Sequence, residues 1–277
     1  MPCPVHPLVR LARHWGGKVR WLSEVRRRLL RFGPLPAVGR IPVEAVAQLG
    51  YSSQLGQDVL VDRLLAGRRD GVFVDVGAHD GVTLSNSYFF ERERGWSGVC
   101  IEPSPEVFPR LAAARSAICV NAAIGPRGGT AEFNMIEGEG EMLSGMSSAY
   151  SARHRRRLQA DPNAAASTAV TVNVRRLDEV LREHWIHRVD LLSIDVEGGE
   201  AGVLDSITMA EFSVEFVFVE NNYSSLAIRR RMWKQGYQLL MRLGWDDLYV
   251  PRGWSLPSGP DDQRPDLPGS QRGGLPQ

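Results

Sequence analysis

Cysteine is nearly missing from this chain: 277 residues hold only Cys3, Cys100 and Cys119, with no C-x-x-C pair and no Cys/His ligand spacing. That argues against a disulfide framework and a structural zinc site. It sets the expectation of a reducing, cytoplasmic setting. Long apolar runs are missing as well. No stretch approaches the roughly 20 residues that span a bilayer, and the first residues lack the apolar core of a secretory signal. Nor is there an excess of one charge. Lys and Arg number 33 against 32 Asp and Glu, a net charge of +1, so no global field argues for nucleic acid as a partner.

What the chain does have is the balance of a globular domain, 43% hydrophobic and 23% charged, enough for a sizeable core. The stretch that organises it is Gly71-Val72-Phe73-Val74-Asp75-Val76-Gly77-Ala78-His79-Asp80-Gly81. Its apolar run reads as a buried parallel strand entering a tight turn. Gly77 and Gly81 let the backbone approach a ligand. Thr83 to Glu91 reads as the helix that follows. Strand, glycine turn and helix form the nucleotide end of a doubly wound α/β sheet.

The same logic recurs along the chain. Val99-Cys100-Ile101-Glu102 is a second strand ending in an acid, at roughly the 20-residue interval where a carboxylate meets a cofactor ribose. Ile118 to Ile124 reads as a third strand and its exit. Val189 to Asp195 and Phe216 to Glu220 are two more strands ending in acids, and Tyr237 to Arg242 and Asp247 to Val250 complete a sheet. Asp75, Glu102, Asp195 and Glu220 are therefore expected to face one cleft at the carboxyl ends of the strands.

Three stretches fall outside that pattern. Residues 1–45 form a basic extension and linker, with Arg26-Arg27-Arg28 beside Leu29, Leu30 and Phe32, with Trp15 and Trp21, and with a break at Gly33-Pro34-Leu35-Pro36. It has two readings: an amphipathic helix in peripheral contact with an acidic membrane, or a solvated helix packed loosely on the domain. Ile136 to Thr168 has little periodicity and is longer than a compact domain normally leaves as plain loop, so it reads as functional or mobile. Thr130 to Met135 and Val170 to Arg175 beside it have the alternation of strands. The tail, 251–277, is rich in Pro, Gly, Asp and Gln and is expected to be disordered.

The turn also selects its ligand. Gly77-Ala78-His79 lacks the G-x-G pair that seats a pyrophosphate on a helix N-terminus, which argues against a nicotinamide cofactor. An acid ahead of the glycine suits a cationic, phosphate-free ligand, and S-adenosylmethionine meets both conditions.

The ordered motifs Ser53-x-x-Gly56-Gln57-Asp58, Phe73-Val74-Asp75-Val76-Gly77-Ala78-His79-Asp80-Gly81, Ser85-Asn86-x-Tyr88, Gly95-Trp96-x-Gly98, Ile101-Glu102-Pro103, Leu192-Ser193-Ile194-Asp195-Val196-Glu197-Gly198 and Val219-Glu220-Asn221 resemble the FkbM family of S-adenosylmethionine-dependent methyltransferases. The likeness spans about residues 50–250 as one domain. It implies a Rossmann-like class I methyltransferase fold: a doubly wound, mostly parallel seven-stranded sheet with helices on both faces. It also implies O-methylation of a hydroxyl on a carbohydrate, glycolipid or secondary metabolite, with a small-molecule or glycan acceptor as partner. His79 departs from the Asn that the family often has there. By the resemblance, Asp75, Gly77, His79 and Gly81 shape the methionine side of the pocket, Glu102 holds the ribose, and Asn121 and Ala122 lie beside the adenine.

For the acceptor's proton, the resemblance to catechol-type O-methyltransferases offers Asp195, Glu220 and Asn221 as oxygen ligands for a cation such as magnesium. The competing readings make Asp195 a general base without metal, and Glu197 and Glu220 helix caps. Glu200 reads as a partner of its own helix's positive end. His154, among Arg153, Arg155, Arg156 and Arg157, is the second catalytic candidate, on a basic lid for an anionic acceptor or else a solvated helix face. Arg229-Arg230-Arg231 reads as a solvated face. Two further function classes stay open: a catalytically silent cofactor-binding scaffold, and methyl transfer to a protein or amine.

Overall fold

The first strand decides how the two faces of the sheet are covered. In Val72–Val76 (β1) every residue after Val72 is buried, and alternate side chains enter different clusters: Val74 and Val76 one layer, Phe73 the other. This is the two-sided burial that an apolar run demands of a central parallel strand. The computed structural model describes residues 43–162 and 167–255.

Before β1 lie two helices, Val43–Gln48 (α1) and Gln57–Leu64 (α2). After it come Tyr88–Arg94 (α3), Ser97–Ile101 (β2), Phe108–Ala114 (α4), Ile118–Val120 (β3) and Ala123–Ile124 (β4). Gly129–Ile136 (β5), Gly145–Met146 (β6), Ala152–Ala160 (α5) and Ser167–Arg175 (β7) follow. The rest is Leu177–Glu183 (α6), Val189–Ile194 (β8), Glu200–Leu204 (α7), Val214–Glu220 (β9), Leu226–Lys234 (α8), Tyr237–Leu243 (β10) and Asp246–Pro251 (β11).

The main sheet has seven strands in the order β10-β11-β9-β8-β1-β2-β3. β3, β2, β1, β8 and β9 run parallel, while β11 lies antiparallel to both β9 and β10. Leu177, Val180 and Leu181 of α6, Val203 and Leu204 of α7, and Ile228 and Met232 of α8 cover one face. Leu60, Val61 and Leu64 of α2, Phe89 and Phe90 of α3, and Leu111 of α4 cover the other. The expected doubly wound, Rossmann-like sheet is present.

The structure gives the segment 136–168 a frame, and the strands expected on either side of it are present. β5 pairs antiparallel with β7 from Gly129↔Val174 to Ile136↔Ser167, and a second sheet, β4-β7-β5-β6, forms around Phe133, Met135 and Val172. Ile118 to Ile124 divides accordingly: β3 stays in the main sheet and β4 joins the small one. α5 forms in the same segment, with the Ser151 hydroxyl accepting from the His154 N–H at 3.0 Å as its cap. Too few apolar residues in Ala152–Ala160 announce a helix.

Cys100 and Cys119 are free thiols on neighbouring positions of β2 and β3. Among the described residues no helix is long and apolar enough to cross a membrane. Cys3, the basic stretch with Arg26 to Arg28, Trp15 and Trp21, the Gly33 to Pro36 break and the tail beyond 255 lie outside the described residues.

Candidate functional site

The carboxyl ends of β1, β2, β8 and β9 open onto one cavity of about 260 Å³. Asp75, Glu102, Asp195 and Glu220 all line it. Their convergence follows from topology: four parallel neighbours end at one edge, so residues far apart in sequence meet there.

The turn after β1 sets the floor. Gly77 has φ +87°, and a Cβ there would stand 1.7 Å from the Asp195 carbonyl oxygen. The Asp195 N–H donates to the Val76 carbonyl at 3.0 Å. Turn and strand end are thus one backbone unit, and only glycine fits it. Asp75, buried at the cavity wall, accepts from Ser87 Oγ at 2.6 Å. Burial pushes its carboxyl up, opposed by that bond and by the Arg115 guanidinium.

Glu102 follows β2. Its two oxygens accept from the His79 N–H at 3.0 Å and the Ser104 N–H at 2.8 Å, which fixes the carboxylate plane. Burial pushes its carboxyl up to about 7, with the Glu141 charge adding to the shift. His79, in left-handed backbone at φ 50°, turns Nε2 to Glu141 Oε2 at 3.0 Å, and Glu141 also pairs with Arg110.

Across the cavity, Asp195, Glu197 and Glu220 each offer an oxygen within 4.8 Å of the others. Glu220 is buried, while Asp195 is exposed to the cavity; desolvation at the cavity wall, and then repulsion among these acids, holds both above the usual carboxylate range. Burial likewise pushes Glu197 up to about 7, against the pull of Arg157, whose Nη1 donates to Glu197 Oε2 at 3.3 Å. Carboxyls crowded in this way hold protons, or a cation, near neutral pH.

Asn221 does not join this group. Its Nδ2 donates to Asp247 Oδ2 at 2.7 Å and its Oδ1 accepts from the Ser225 N–H at 2.6 Å. Both polar ends are engaged away from the cavity, because successive residues leaving a strand point to opposite sides. Glu197 takes the place expected of Asn221, and Asn222 reaches Glu220 Oε1 at 2.5 Å. His154 is also displaced from the expected role. It does not line the cavity; its ring stacks on Tyr150 with centroids 4.6 Å apart and meets Tyr223 edge-on. Burial, and then Arg157, lowers its pKa. From the basic helix α5, Arg157 is the residue that lines the cavity.

Of the two residues expected beside the adenine, Ala122 lines the cavity, while Asn121 is exposed and donates to the Glu102 and Pro103 carbonyls at 2.8 and 3.2 Å. It braces the turn that carries Glu102. Gly81 is a packing position: a Cβ there would meet Leu111 Cδ1 at 2.6 Å and Arg115 Cγ at 2.7 Å. Glu200 accepts from the Gly198 N–H at 2.8 Å and tightens the turn behind the acids.

The sequence reading missed Glu141, Glu197 as a member of the acid group, and Arg157 as a cavity residue. Gln57 and Asn86, both inside motifs that carried the resemblance, also line the cavity. Gln57 Nε2 holds Asp246 Oδ2 at 2.5 Å. Asn86 Nδ2 donates to Ser193 Oγ at 3.0 Å, leaving its buried Oδ1 without a hydrogen-bond partner.

Residues 75–239, more than half of the chain, match the family model described as the methyltransferase FkbM domain. Among solved structures, a TehB-like SAM-dependent methyltransferase from Corynebacterium glutamicum ATCC 13032 Kitasato is similar at 11% identity and a TM-score of 0.38, over 75% of this chain and 93% of that one. The delta-N METTL16 MTase domain is similar at 10% identity and a TM-score of 0.35, over 82% of this chain and 94% of that one. No curated protein matches.

Proposed function

The chain belongs to the FkbM methyltransferase family, and on that premise we propose that it moves the methyl group of S-adenosylmethionine onto a hydroxyl of a carbohydrate, glycolipid or secondary metabolite. The observation that carries this reading is the convergence of Asp75, Glu102, Asp195 and Glu220 on one cavity behind the Gly77 turn. An acid-rich wall suits a cationic cofactor. Asn86, in that wall, carries a buried Oδ1 that lacks a hydrogen-bond partner and is chemically an acceptor.

S-adenosylmethionine supplies a methyl already activated on a positive sulfur. What remains for the protein is placement, and orienting two bound reactants supplies about 7–11 kcal/mol of barrier reduction. Glu102, its plane fixed by two backbone donors, accepts from the ribose hydroxyls. Ala122 packs against the adenine. Asp195, held above its ordinary range, takes the proton of the acceptor hydroxyl as general base. His154 has no proton-transfer part in this scheme, since it stands behind the cavity wall.

A second reading rests on the oxygens of Asp195, Glu197 and Glu220 lying within 4.8 Å of one another. They would hold a hard divalent cation that acidifies the acceptor hydroxyl. Labelled-methyl transfer to a panel of sugars, polyols and amines, with magnesium and then with chelator, separates these routes. Label on hydroxyls with either buffer supports the base. Loss with chelator supports the cation, and label on amines alone overturns the hydroxyl assignment.

A further inference from the structure

One polar crossing of the cavity is left unused by the proposed chemistry. Residues Gly138–Leu143 form a short 3₁₀-helical turn between β5 and β6, and its Glu141, Met142 and Leu143 line the cavity. Glu141 Oε2 meets both His79 Nε2, at 3.0 Å, and Arg110 of α4. His79 is also the residue whose main-chain N–H fixes Glu102. A single histidine therefore joins the carboxylate assigned to the ribose and the turn that roofs it.

Glycine and surface charge shape this turn. Gly138 at its start has φ +73°, with nothing within 4 Å of where a Cβ would stand, a left-handed position that glycine adopts without strain. Arg110 is half exposed and Glu141 partly so, and ion pairs of that kind are weak. Such a clasp closes and opens readily. We propose that residues 138–143 are a lid over the cofactor end of the cavity and that Glu141 is its latch, a positioning residue that slows cofactor and product exchange by gripping His79 and Arg110. The proposal rests on the methyltransferase reading.

A second consequence distinguishes a latch from a mere surface contact. The Glu141 charge adds to the upward push on the Glu102 carboxyl. Removing it lets Glu102 ionise at lower pH, so the acid limb of cofactor binding moves down.

The test is stopped-flow release of S-adenosylhomocysteine from the full-length protein, read by the fluorescence of Trp245 in the cavity wall. Wild type is compared with Glu141→Ala, Arg110→Ala and the double variant. Each single change is expected to raise the off-rate about 2- to 5-fold, and the double change no more than the larger single one, because both loosen one clasp. KM for S-adenosylmethionine should rise without a fall in kcat. Glu141→Ala should move the acid limb of binding down and Arg110→Ala should move it up, because the Arg110 charge lowers the Glu102 carboxyl while the Glu141 charge raises it. Variants that melt like wild type yet release product at its rate, with an unmoved acid limb, would overturn the latch. A wild type that binds no S-adenosylhomocysteine would overturn the methyltransferase reading itself, and the latch with it.

Discussion

Gly77 lies directly against the backbone of Asp195: a Cβ at residue 77 would stand 1.7 Å from the Asp195 carbonyl oxygen. The turn after β1 and the strand end that carries the proposed base are locked in register. In the proposed function, cofactor placement and proton transfer share that one contact.

Gly77→Ala is therefore expected to cost about 3 kcal/mol or more, from the left-handed backbone and the backbone collision together. Denaturant unfolding measures it. A midpoint near that of wild type would mean that the turn can relax away from Asp195.

Charge at Glu102 should control cofactor affinity. Glu102→Gln keeps an acceptor but loses the charge, which is worth about 1.5–3 kcal/mol for a charged hydrogen bond, or about 10- to 100-fold in affinity. Wild-type affinity should rise with pH through about 7, where the carboxyl ionises, and the variant should show no such rise. If Glu200→Ala weakens binding as much, the ribose assignment is wrong.

Asp195→Asn should retain the cofactor and lower turnover by about 10²- to 10⁴-fold, the range typical of a lost general base. Because the wild-type carboxyl sits well above its ordinary value, it is protonated at low pH, so kcat should climb as pH rises. A flat pH profile with full activity in the variant removes Asp195 from proton transfer.

Asn221 separates a structural clip from a metal ligand. Asn221→Ala leaves the fully buried Asp247 short of a donor and the Ser225 N–H without its acceptor, a loss of about 1–3 kcal/mol in stability. Turnover per folded molecule should be unchanged. Lost turnover in a variant as stable as wild type would return Asn221 to the catalytic group.

The protein without ligands should lose stability as pH rises from about 5 to 8. Glu102 and Glu197, pushed up to about 7, and Asp246, pushed up to about 6, keep protons in the folded state that the unfolded chain has already released. The folded state therefore binds more protons in that window, and each pH step upward favours unfolding. The lowered His154 opposes them as one group against several. A melting temperature lower by about 5 °C at pH 8 than at pH 5.5 is expected; a higher one would show the acids to be ionised and paired.

The strands of the main sheet were legible because Val72–Val76, Val189–Ile194 and Val214–Glu220 are apolar on both faces, and the acids at their ends follow the one rule that parallel sheets obey at their carboxyl edge. What lay between β5 and β7 was not. Ala152–Ala160 holds four arginines and little apolar surface, so its helix depends on the Ser151 cap and on burial of His154. Glu141 and Arg157 act on the cavity through tertiary pairs, with His79 and Arg110 and with Glu197, that no periodicity encodes. The choice between Asn221 and Glu197 turned on side-chain direction at strand exits, which spacing alone does not fix.

Calorimetric titration of S-adenosylmethionine into the full-length protein at pH 8 tests the central claim most directly. The account predicts one site with a micromolar dissociation constant, about −8 kcal/mol, weakened by Glu102→Gln. The absence of binding heat from a folded protein, across temperatures and with magnesium present, would contradict it.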